Sequence, residues 1–416
     1  MHMRGAAKRA AKALFGDDQR VRDRLRRIDG WLGSKPRPGA VPIAEGLDLS
    51  LPLGVNVAGF FEGDFGVAEA ARAGVKAMRA AGLPVVLNNV SSSPDRDFAP
   101  GDGRYTTGNP YRVNLVNVNA EQSHDFFMRA GEGYFMGRYN VGGWVWELSR
   151  FPDAFTDAFR YFDEVWAPSA FCADSISRVS PVPVVRMPYS IDAGSLSAKP
   201  DRARFGIGEG EFTFLFIFDF HSVMERKNPI AAIEAFKKAF GTNGRVRLVI
   251  KHIHSGRFGV DLERFNKFAE GPNITVIGER FTRTDVTSLI ASCDCYVSLH
   301  RAEGFGLAIA EAMAMGKPVI ATAYSGNTDF MDVNNSFPVR YGLTELERDI
   351  QPYEKGMVWA EPDTDHAAEL MRIVSGGGPD VARVAERGRR DVVRTLSPAA
   401  VGELYRQRVM RICGEG

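Results

Sequence analysis

The sequence predicts an α/β protein with two doubly wound parallel-sheet domains that face each other across a cleft. Its 416 residues exceed the roughly 250–300 residues at which a single hydrophobic core usually stops growing. From Leu53 onward, short apolar runs alternate with helical segments, a pattern typical of βαβ units. The alternation breaks near residues 193–210, which are rich in Ser, Pro, Gly and charge, and then restarts. Two sheets in tandem are therefore expected.

The composition indicates a folded chain with a large core and no chain-wide charge. Hydrophobic residues make up 44% and charged residues 25% of the sequence. Because Lys+Arg number 52 and Asp+Glu 51, the net charge is +1, so no nucleic-acid partner is expected. The sequence contains neither an apolar run of the ~18 residues that a membrane span needs nor the apolar core of a secretory signal. We expect a cytoplasmic protein.

Residues 1–42 are predicted to form a basic helical arm and linker. Eleven Lys and Arg against four Asp leave this segment at +7. A helix over residues 6–15 suits an anionic membrane surface on the inner face of the membrane, and a solvated helix packed on the body of the protein accounts for the same charges. Prolines and a glycine end the arm, namely Pro36, Pro38, Gly39 and Pro42.

Residues 43–195 are predicted to form the first domain, and residues 196–390 the second. Candidate strands of the first domain are 54–60, 85–89, 113–118, 139–144, 164–167 and 184–187. Its helix 67–81 stops at Gly82, followed by Pro84. Candidate strands of the second domain are 212–218, 246–250, 274–277, 295–299 and 318–321, with a helix at 229–240. Ligands of such sheets bind at the carboxyl ends of the strands.

The segment 299–318 carries the most informative motif. It has the order strand, glycine loop, helix and next strand. Gly304 and Gly306 allow the backbone to approach a ligand closely. The free N–H groups of Phe305, Gly306 and Leu307 would open the helix with its positive dipole end toward the cleft. The segment therefore predicts a phosphate site.

Two carboxylates flank this predicted phosphate site. Glu303 and Glu311 lie eight residues apart; on a continuous helix they would be separated by about 12 Å along the axis and would face within about 80° of each other. An acid beside a phosphate is unfavourable unless it accepts hydrogen bonds from hydroxyl groups. The pattern therefore favours a diphosphate with sugar hydroxyls at both ends, which describes a nucleotide sugar.

This segment resembles the retaining glycosyltransferases of family 4, whose Glu-x7-Glu motif Glu303 and Glu311 match. The resemblance runs from Leu53 to the C-terminus and implies the GT-B fold, with two Rossmann-like domains, the first on the acceptor side and the second on the donor side. It implies that Glu303 contacts the transferred sugar and Glu311 the ribose. His300 and the loop of residues 304–307 complete the expected donor site. The resemblance also implies that the last helix, within residues 391–416, crosses back onto the first domain.

A second block of the resemblance spans residues 218–229. The family usually has an Arg after this strand and a Lys before the next helix, both neutralising the diphosphate. Lys227 matches the Lys, and cations at a helix start also favour a bound anion. The usual Arg is missing, with Asp219 to Val223 in that region, so Arg226 or another residue is expected to supply the second charge.

Other positions match the family less closely. Gly66 lies in a loop that resembles the family's glycine loop near the donor phosphate, although it lacks a Gly-x-Gly-x-x-Gly dinucleotide motif. Residues 325–329 depart from the family's usual Gly-Gly and Pro-Glu. His124, Trp146 and Glu147 follow predicted strands and are candidates for the acceptor side; a core role for the tryptophan is the alternative.

No metal site or cofactor is expected. His252 and His254 alternate along a strand without a third ligand at motif spacing. Asp363 and Asp365 are expected at a helix start, with Asp363 as N-cap. The four cysteines, Cys172, Cys293, Cys295 and Cys413, are too scattered for a disulfide framework, and packing is expected for Cys293 and Cys295.

The sequence therefore favours a metal-independent, retaining transferase. Its donor would be a nucleotide-diphosphate sugar and its acceptor a glycan or lipid-linked glycan, in bacterial surface polysaccharide or glycoconjugate synthesis. Glu303 and Lys227 are the candidate catalytic residues. Two alternatives remain: a nucleotide-sugar epimerase or hydrolase of the same fold, and a non-catalytic scaffold that binds sugar nucleotides. The base, the sugar and the oligomeric state are left open.

Overall fold

The computed structural model describes residues 46–90 and 105–415, which form two parallel six-stranded sheets and one small antiparallel pair. The predicted basic arm and its linker lie outside the described residues. In the described part of the chain, no helix is long and apolar enough to cross a bilayer. The two parallel sheets with their helices confirm the predicted α/β class.

The first sheet is built from short strands joined by helices. Its elements are β1 (Val55–Gly59), α1 (Gly66–Ala80), β2 (Val85–Asn89), β3 (Val113–Asn117), α2 (Ala120–Ala130), α3 (Glu132–Phe135), β4 (Tyr139–Gly143), a 3-10 helix (Asp153–Tyr161), β5 (Glu164–Ala167), α4 (Ala170–Ser177) and β6 (Val184–Arg186). The strand order is β2-β1-β3-β4-β5-β6, with every neighbouring pair parallel.

Buried asparagines fix the register of this first sheet. Asn56, Asn114 and Asn140 are register partners on β1, β3 and β4. Asn56 Nδ2 donates to Asn114 Oδ1 at 2.9 Å, and Asn114 Nδ2 donates to Asn140 Oδ1 at 2.8 Å. Because an unpaired buried amide costs about 1–3 kcal/mol, a slipped register would be strongly disfavoured.

The second sheet repeats the plan. After a short 3-10 helix (Ala193–Leu196), its elements are β7 (Phe212–Asp219), a 3-10 turn (Phe220–Ser222), α5 (Met224–Lys227), α6 (Pro229–Phe240), β8 (Val246–Ile253), a 3-10 turn (Ser255–Arg257), α7 (Gly259–Ala269), β9 (Ile274–Ile277), α8 (Arg283–Ser292), β10 (Cys295–Ser298), α9 (Leu307–Ala314), β11 (Val319–Thr322), a 3-10 turn (Gly326–Asp329) and β12 (Phe337–Val339). The order is β12-β11-β10-β7-β8-β9, again parallel.

An antiparallel pair after the second sheet was not predicted from the sequence. The strands β13 (Tyr341–Glu345) and β14 (Val358–Pro362) are joined by a segment whose side chains pack on the first domain. Leu346, Tyr353, Met357 and Trp359 belong to the same buried cluster as Trp144 and Trp146. This connection therefore ties the second domain to the core of the first.

The last three helices are α10 (Thr364–Gly376), α11 (Pro379–Leu396) and α12 (Pro398–Ile412). Helix α12 packs against α1 so closely that a Cβ at Gly402 would lie 2.2 Å from the carbonyl oxygen of Ala77. Arg408 of α12 also pairs with the fully buried Glu164 of β5. The chain thus ends on the first domain.

Smaller expectations can also be compared with the structure. Asp363 caps α10 by accepting hydrogen bonds from the N–H groups of Asp365 and His366, so the predicted N-cap is confirmed. All four cysteines are free and buried, and Cys293 and Cys295 lie in two different hydrophobic clusters. Burial raises the pKa of the Cys293 thiol to about 12.

Candidate active site

The strand order of the second sheet places a crevice between β7 and β10. From β7 the chain proceeds to β8 and β9 on one side, and then to β10, β11 and β12 on the other. The loops that follow β7 and β10 therefore separate, and ligands of open α/β sheets bind at such a point. Lys227 lies after β7 and Glu303 after β10, so the topology brings both to this crevice.

The helix after β10 starts without a side-chain cap. Gly306 is the N-cap residue of α9 with φ = 92°, a left-handed conformation that favours glycine. No side chain of the described residues accepts a hydrogen bond at this cap. The first N–H groups of α9 are therefore available to an anion. Glu303 precedes the helix, so the condition of a continuous helix from Glu303 to Glu311 is not met.

The turn after β11 holds the glycine loop in place. Glu303 donates its N–H to Ser325 Oγ at 2.8 Å, and its carbonyl accepts from the N–H of Gly326 at 2.9 Å. A Cβ at Gly326 would lie 2.1 Å from the carbonyl oxygen of Gly304. The ring of Phe305 packs between Tyr189 and Phe330, which anchors the glycine loop. Ser325 and Gly326, where the sequence departs from the family, thus position Glu303.

Two cations keep Glu303 ionised. Lys227 Nζ lies 2.5 Å from Glu303 Oε1, and Arg226 Nη1 lies 3.5 Å from Glu303 Oε2. Burial by itself would raise the pKa of Glu303, but the charges of Lys227 and Arg226 outweigh it and lower that pKa to about 2. Glu303 is therefore a carboxylate that only accepts hydrogen bonds at neutral pH.

Arg226 joins the two domains rather than facing the crevice. Its side chain is only 5% exposed. Its Nη1 donates to the carbonyl oxygen of Ala302 at 2.8 Å, and its Nη2 lies 3.4 Å from Oε1 of Glu147 in the first domain. Tyr353 donates to the other oxygen of Glu147 at 3.1 Å. Of the two predicted diphosphate cations, Lys227, at 18% exposure, is the more accessible.

Backbone strain is concentrated at this edge of the second sheet. Among the described residues, the non-glycine residues with positive φ are Val223 (65°), Asn228 (53°), His254 (59°) and Ser325 (72°). All four follow strands β7, β8 or β11. Val223 and Asn228 bracket α5, which carries Arg226 and Lys227. Such strain costs about 1–3 kcal/mol per residue and clusters at functional sites.

Glu311 pairs with an arginine of the second domain. Both terminal nitrogens of Arg283 hydrogen-bond its carboxylate. Burial raises the pKa of Glu311, and Arg283 offsets this only in part. Arg283 was missed by sequence analysis. It is the first residue of α8, where a cation opposes the helix dipole, and this signal could have indicated an anionic partner.

His300 lies under the site. It is fully buried, with Nδ1 3.0 Å from Ser298 Oγ and Nε2 3.0 Å from Asn327 Oδ1. Asn327 Nδ2 donates to the carbonyl of Thr322, so its Oδ1 accepts and Nε2 of His300 carries the proton. Burial lowers the pKa of His300. The histidine thus holds the turn after β11 rather than facing the crevice.

The first domain contacts the glycine loop directly. Ser169 Oγ donates to the carbonyl oxygen of Gly304 at 2.7 Å, and Cys172 Sγ lies 3.2 Å from the same oxygen. A Cβ at Gly304 would lie 2.1 Å from a methyl group of Val145. Only glycine fits at this point, where the two domains meet.

Gly66 is the first residue of α1 and is exposed. A Cβ built on it would meet no atom within 4 Å, so packing within the protein does not require glycine there. In the same loop, Asp64 forms an exposed ion pair with Arg280 of the second domain. Glu69 of α1 acts on the pKa of both Arg283 and Glu311. The start of α1 therefore faces the Glu311 end of the site.

The three acceptor-side candidates, His124, Trp146 and Glu147, have different surroundings. Trp146 is a core residue whose Nε1 donates to the carbonyl of Arg150 at 2.7 Å. His124 is exposed, with Nδ1 2.6 Å from the Tyr161 hydroxyl. Glu147 alone reaches the charged cluster, through Arg226.

Glu121, at the start of α2, has an exposed side chain. The surrounding protein, followed by the charge of Glu147, raises the pKa of Glu121. The acceptor side therefore holds two carboxyl groups that lie close enough to influence each other.

Comparisons with known proteins agree with this architecture. Residues 198–337 match the family model described as glycosyl transferases group 1. No curated protein matches the sequence. The structure is similar to that of HepE from Anabaena in complex with UDP and glucose, with 13% identity, a TM-score of 0.64 and coverage of 86% of this chain and 100% of that chain.

Two further solved structures show the same likeness. Sucrose-phosphate synthase from Thermosynechococcus elongatus has 14% identity and a TM-score of 0.64, over 88% of this chain and 100% of that chain. A glycosyltransferase from Rickettsia africae has 13% identity and a TM-score of 0.63, over 87% of this chain and 98% of that chain. The chain has the GT-B fold, and the residues that match the group 1 glycosyltransferase model lie in its second domain.

Proposed function

We propose that this protein is a retaining glycosyltransferase that moves a sugar from a nucleotide-diphosphate sugar to a glycan or lipid-linked glycan. The observation that carries the proposal is the Lys227–Glu303 pair at the uncapped start of α9, in the crevice between β7 and β10. This arrangement combines a lysine ammonium on a flexible side chain, a carboxylate held by two cations, and free backbone N–H groups.

The diphosphate of the donor binds where these positive groups converge. The first N–H groups of α9 donate hydrogen bonds to one phosphate, and Lys227 turns from Glu303 toward the oxygens of the leaving group. As the bond between the sugar C1 and the diphosphate oxygen breaks, negative charge grows on that oxygen, and Lys227 stabilises it. No metal ion is required in this scheme, because Lys227 and the backbone supply the charge.

Arg226 explains how Glu303 remains ionised when Lys227 moves. Its guanidinium stays beside Glu303, held by the carbonyl of Ala302 and by Glu147. Glu303 can then accept hydrogen bonds from hydroxyls of the transferred sugar. Arg226 is thus a positioning residue. The second diphosphate charge that the resemblance assigns to an Arg is carried here by the backbone of α9.

At the other end of the donor, Glu311 accepts hydrogen bonds from the ribose hydroxyls. Arg283 already orients its carboxylate, and the exposed start of α1 at Gly66 leaves space beside the pair. UDP-sugars are the first donors to test, since HepE, which shares this fold, was solved with UDP and glucose.

Retention follows from same-face attack. The acceptor oxygen bonds to C1 on the face from which the diphosphate departs, and the acceptor proton passes to the departing phosphate oxygen. Contacts of Ser169, Cys172 and Val145 with Gly304 close the crevice and exclude water. The acceptor class and a role in bacterial surface polysaccharide or glycoconjugate synthesis rest on the sequence resemblance.

The test begins with thermal unfolding of the full chain with UDP-, GDP-, dTDP- and ADP-sugars. A true donor at 100 times its Kd should add about 2.7 kcal/mol of stability. Glu311→Ala should remove that gain, whereas the control Glu369→Ala, at an exposed position of α10, should keep it. The selected donor is then incubated with and without glycan acceptors. Product only with acceptor supports transfer, whereas an isomer or free sugar without acceptor supports the epimerase or hydrolase. The absence of stabilisation by all donors contradicts the proposal.

A further inference from the structure

A cluster of metal-ligating side chains lies at the same edge of the second sheet, outside the proposed donor site. Asp219, His221 and His254 each offer a ligand atom, and these atoms all lie within 4.8 Å of one another. His254 Nδ1 is 2.9 Å from Asp219 Oδ1. The rings of His221 and His254 stack with centroids 4.4 Å apart and an interplanar angle of 14°.

The register of β7 and β8 creates this cluster. Asp219, the last residue of β7, is the register partner of Ile253, the last residue of β8. His254 follows immediately with φ = 59°, a conformation that is uncommon for residues other than glycine. Its ring is within hydrogen-bond distance of the Asp219 carboxylate. Sequence analysis considered His254 together with His252 as possible metal ligands and identified no third ligand. His252 is instead buried against Phe220, and the other ligands come from the end of β7 and the turn that follows it.

Hydrogen bonding within the protein explains the position of Asp219 but not that of both histidines. Asp219 Oδ1 accepts the N–H of His221 and caps the turn there, which accounts for the carboxylate. It does not account for an exposed second imidazole stacked on the first. Two imidazoles and one carboxylate are the ligands of open, three-residue zinc sites, in which water completes the coordination.

We propose that Asp219, His221 and His254 bind a divalent transition-metal ion, with zinc the expected occupant. Nitrogen and oxygen ligands of this kind favour zinc over magnesium or calcium, which prefer oxygen ligands alone. His221 is the exposed ligand, so the ion enters from solvent.

Two cations and the carboxylate of Glu279 lie around the site. Arg257 is within electrostatic range of His221, and Lys251 is within range of Glu279 and, more weakly, of Asp219. A bound ion fixes the end of β7, from which the chain continues to Lys227. In the described structure, Glu303 pairs with Lys227 and Arg226 and Glu311 pairs with Arg283, and none of the three proposed ligands is among these partners.

Zinc titration of the untagged, chelator-treated full chain tests this site, by calorimetry and without any nucleotide sugar. The wild-type protein should bind one equivalent of Zn²⁺, and Asp219→Asn, His221→Gln and His254→Ala should each bind about tenfold or more weakly. His366→Gln, which changes a histidine at the start of α10, should bind zinc like the wild type.

A second measurement keeps the test valid if a variant is less stable. Co²⁺ added to the wild type should give visible absorption bands that Zn²⁺ abolishes, and these bands should be lost in His254→Ala whose circular dichroism matches the wild type. Failure of the wild type to bind Zn²⁺, or unchanged binding in all three ligand variants, would overturn the proposal. Neither result bears on donor binding, so the proposed transferase stands or falls separately.

Discussion

The surroundings of Glu303 and Glu311 differ although the two carboxylates share one loop and helix. Both residues are only 9% exposed. Glu303 faces two cations with little exposure, and its pKa falls to about 2, whereas Glu311 faces a single, half-exposed arginine, and its pKa rises. Burial is thus the same in both places, and the number and exposure of the cationic partners decide in which direction each pKa shifts. The comparison assigns a firmly ionised carboxylate to the sugar end of the site and a less strongly neutralised carboxylate to the ribose end.

The largest expected effect is on stability. Glu303→Ala should lower the free energy of unfolding by about 3 kcal/mol, the low end of the cost of breaking a buried ion pair, because Arg226 retains Glu147. Glu311→Ala should cost only about 1 kcal/mol, because Arg283 is 46% exposed and water can solvate it. Urea denaturation measures both values. Equal losses in the two variants would show that the two environments do not differ.

Acid titration of stability compares the same two groups. A carboxyl group with a lowered pKa stabilises the folded state above its unfolded value near 4.5, and this contribution is lost as the pH falls toward 2. The wild type should therefore lose about 3 kcal/mol more than Glu303→Gln between these pH values. Glu311 has a raised pKa, so its protonation at low pH favours the folded state, and Glu311→Gln should lose at least as much stability in acid as the wild type. Parallel curves for the wild type and Glu303→Gln would contradict the assignment.

Lys227→Ala tests the proposed role of Lys227 in stabilising the leaving diphosphate. Turnover should fall by two or more orders of magnitude, about 3 kcal/mol in the barrier, the scale expected for the loss of one key electrostatic donor. Donor turnover is compared with that of Lys237→Ala, which removes an exposed lysine of α6. Near-normal turnover in Lys227→Ala would remove this residue from the catalytic scheme.

The smallest effect is expected where an ion pair is exposed. Arg280→Ala breaks the pair with Asp64, and since Arg280 is 80% exposed, unfolding should become easier by no more than about 1 kcal/mol. Thermal unfolding measures this change. A loss similar to that of Glu303→Ala would mean that exposed contacts between the domains, and not the buried cluster, hold the crevice closed.

Periodicity and motif spacing predicted most of the fold. Strands such as Glu164–Ala167 and Ile274–Ile277 and the helix Pro229–Phe240 lie where the sequence placed them, because apolar runs bounded by turn residues are a local signal. The pair β13 and β14 was missed, since β13 is exposed along its length and has no buried face to produce a pattern.

The parts of the site that the sequence did not predict depend on long-range contacts. The sequence indicated Arg226 as a candidate diphosphate ligand, because motif spacing does not show that Glu147, 79 residues earlier in the chain and in the other domain, lies beside it. Arg283 and Tyr353 likewise reach the site from distant elements. Motif spacing predicts the helix or strand on which a residue lies. The oppositely charged residue that pairs with it depends on how the two domains pack.

A crystal structure with a nucleoside diphosphate tests the central claim most directly. The account predicts that the diphosphate oxygens lie within hydrogen-bond distance of the first backbone N–H groups of α9 and of Lys227 Nζ, with Glu311 on the ribose. A diphosphate bound elsewhere, with Lys227 still paired to Glu303 and the start of α9 unoccupied, would contradict it.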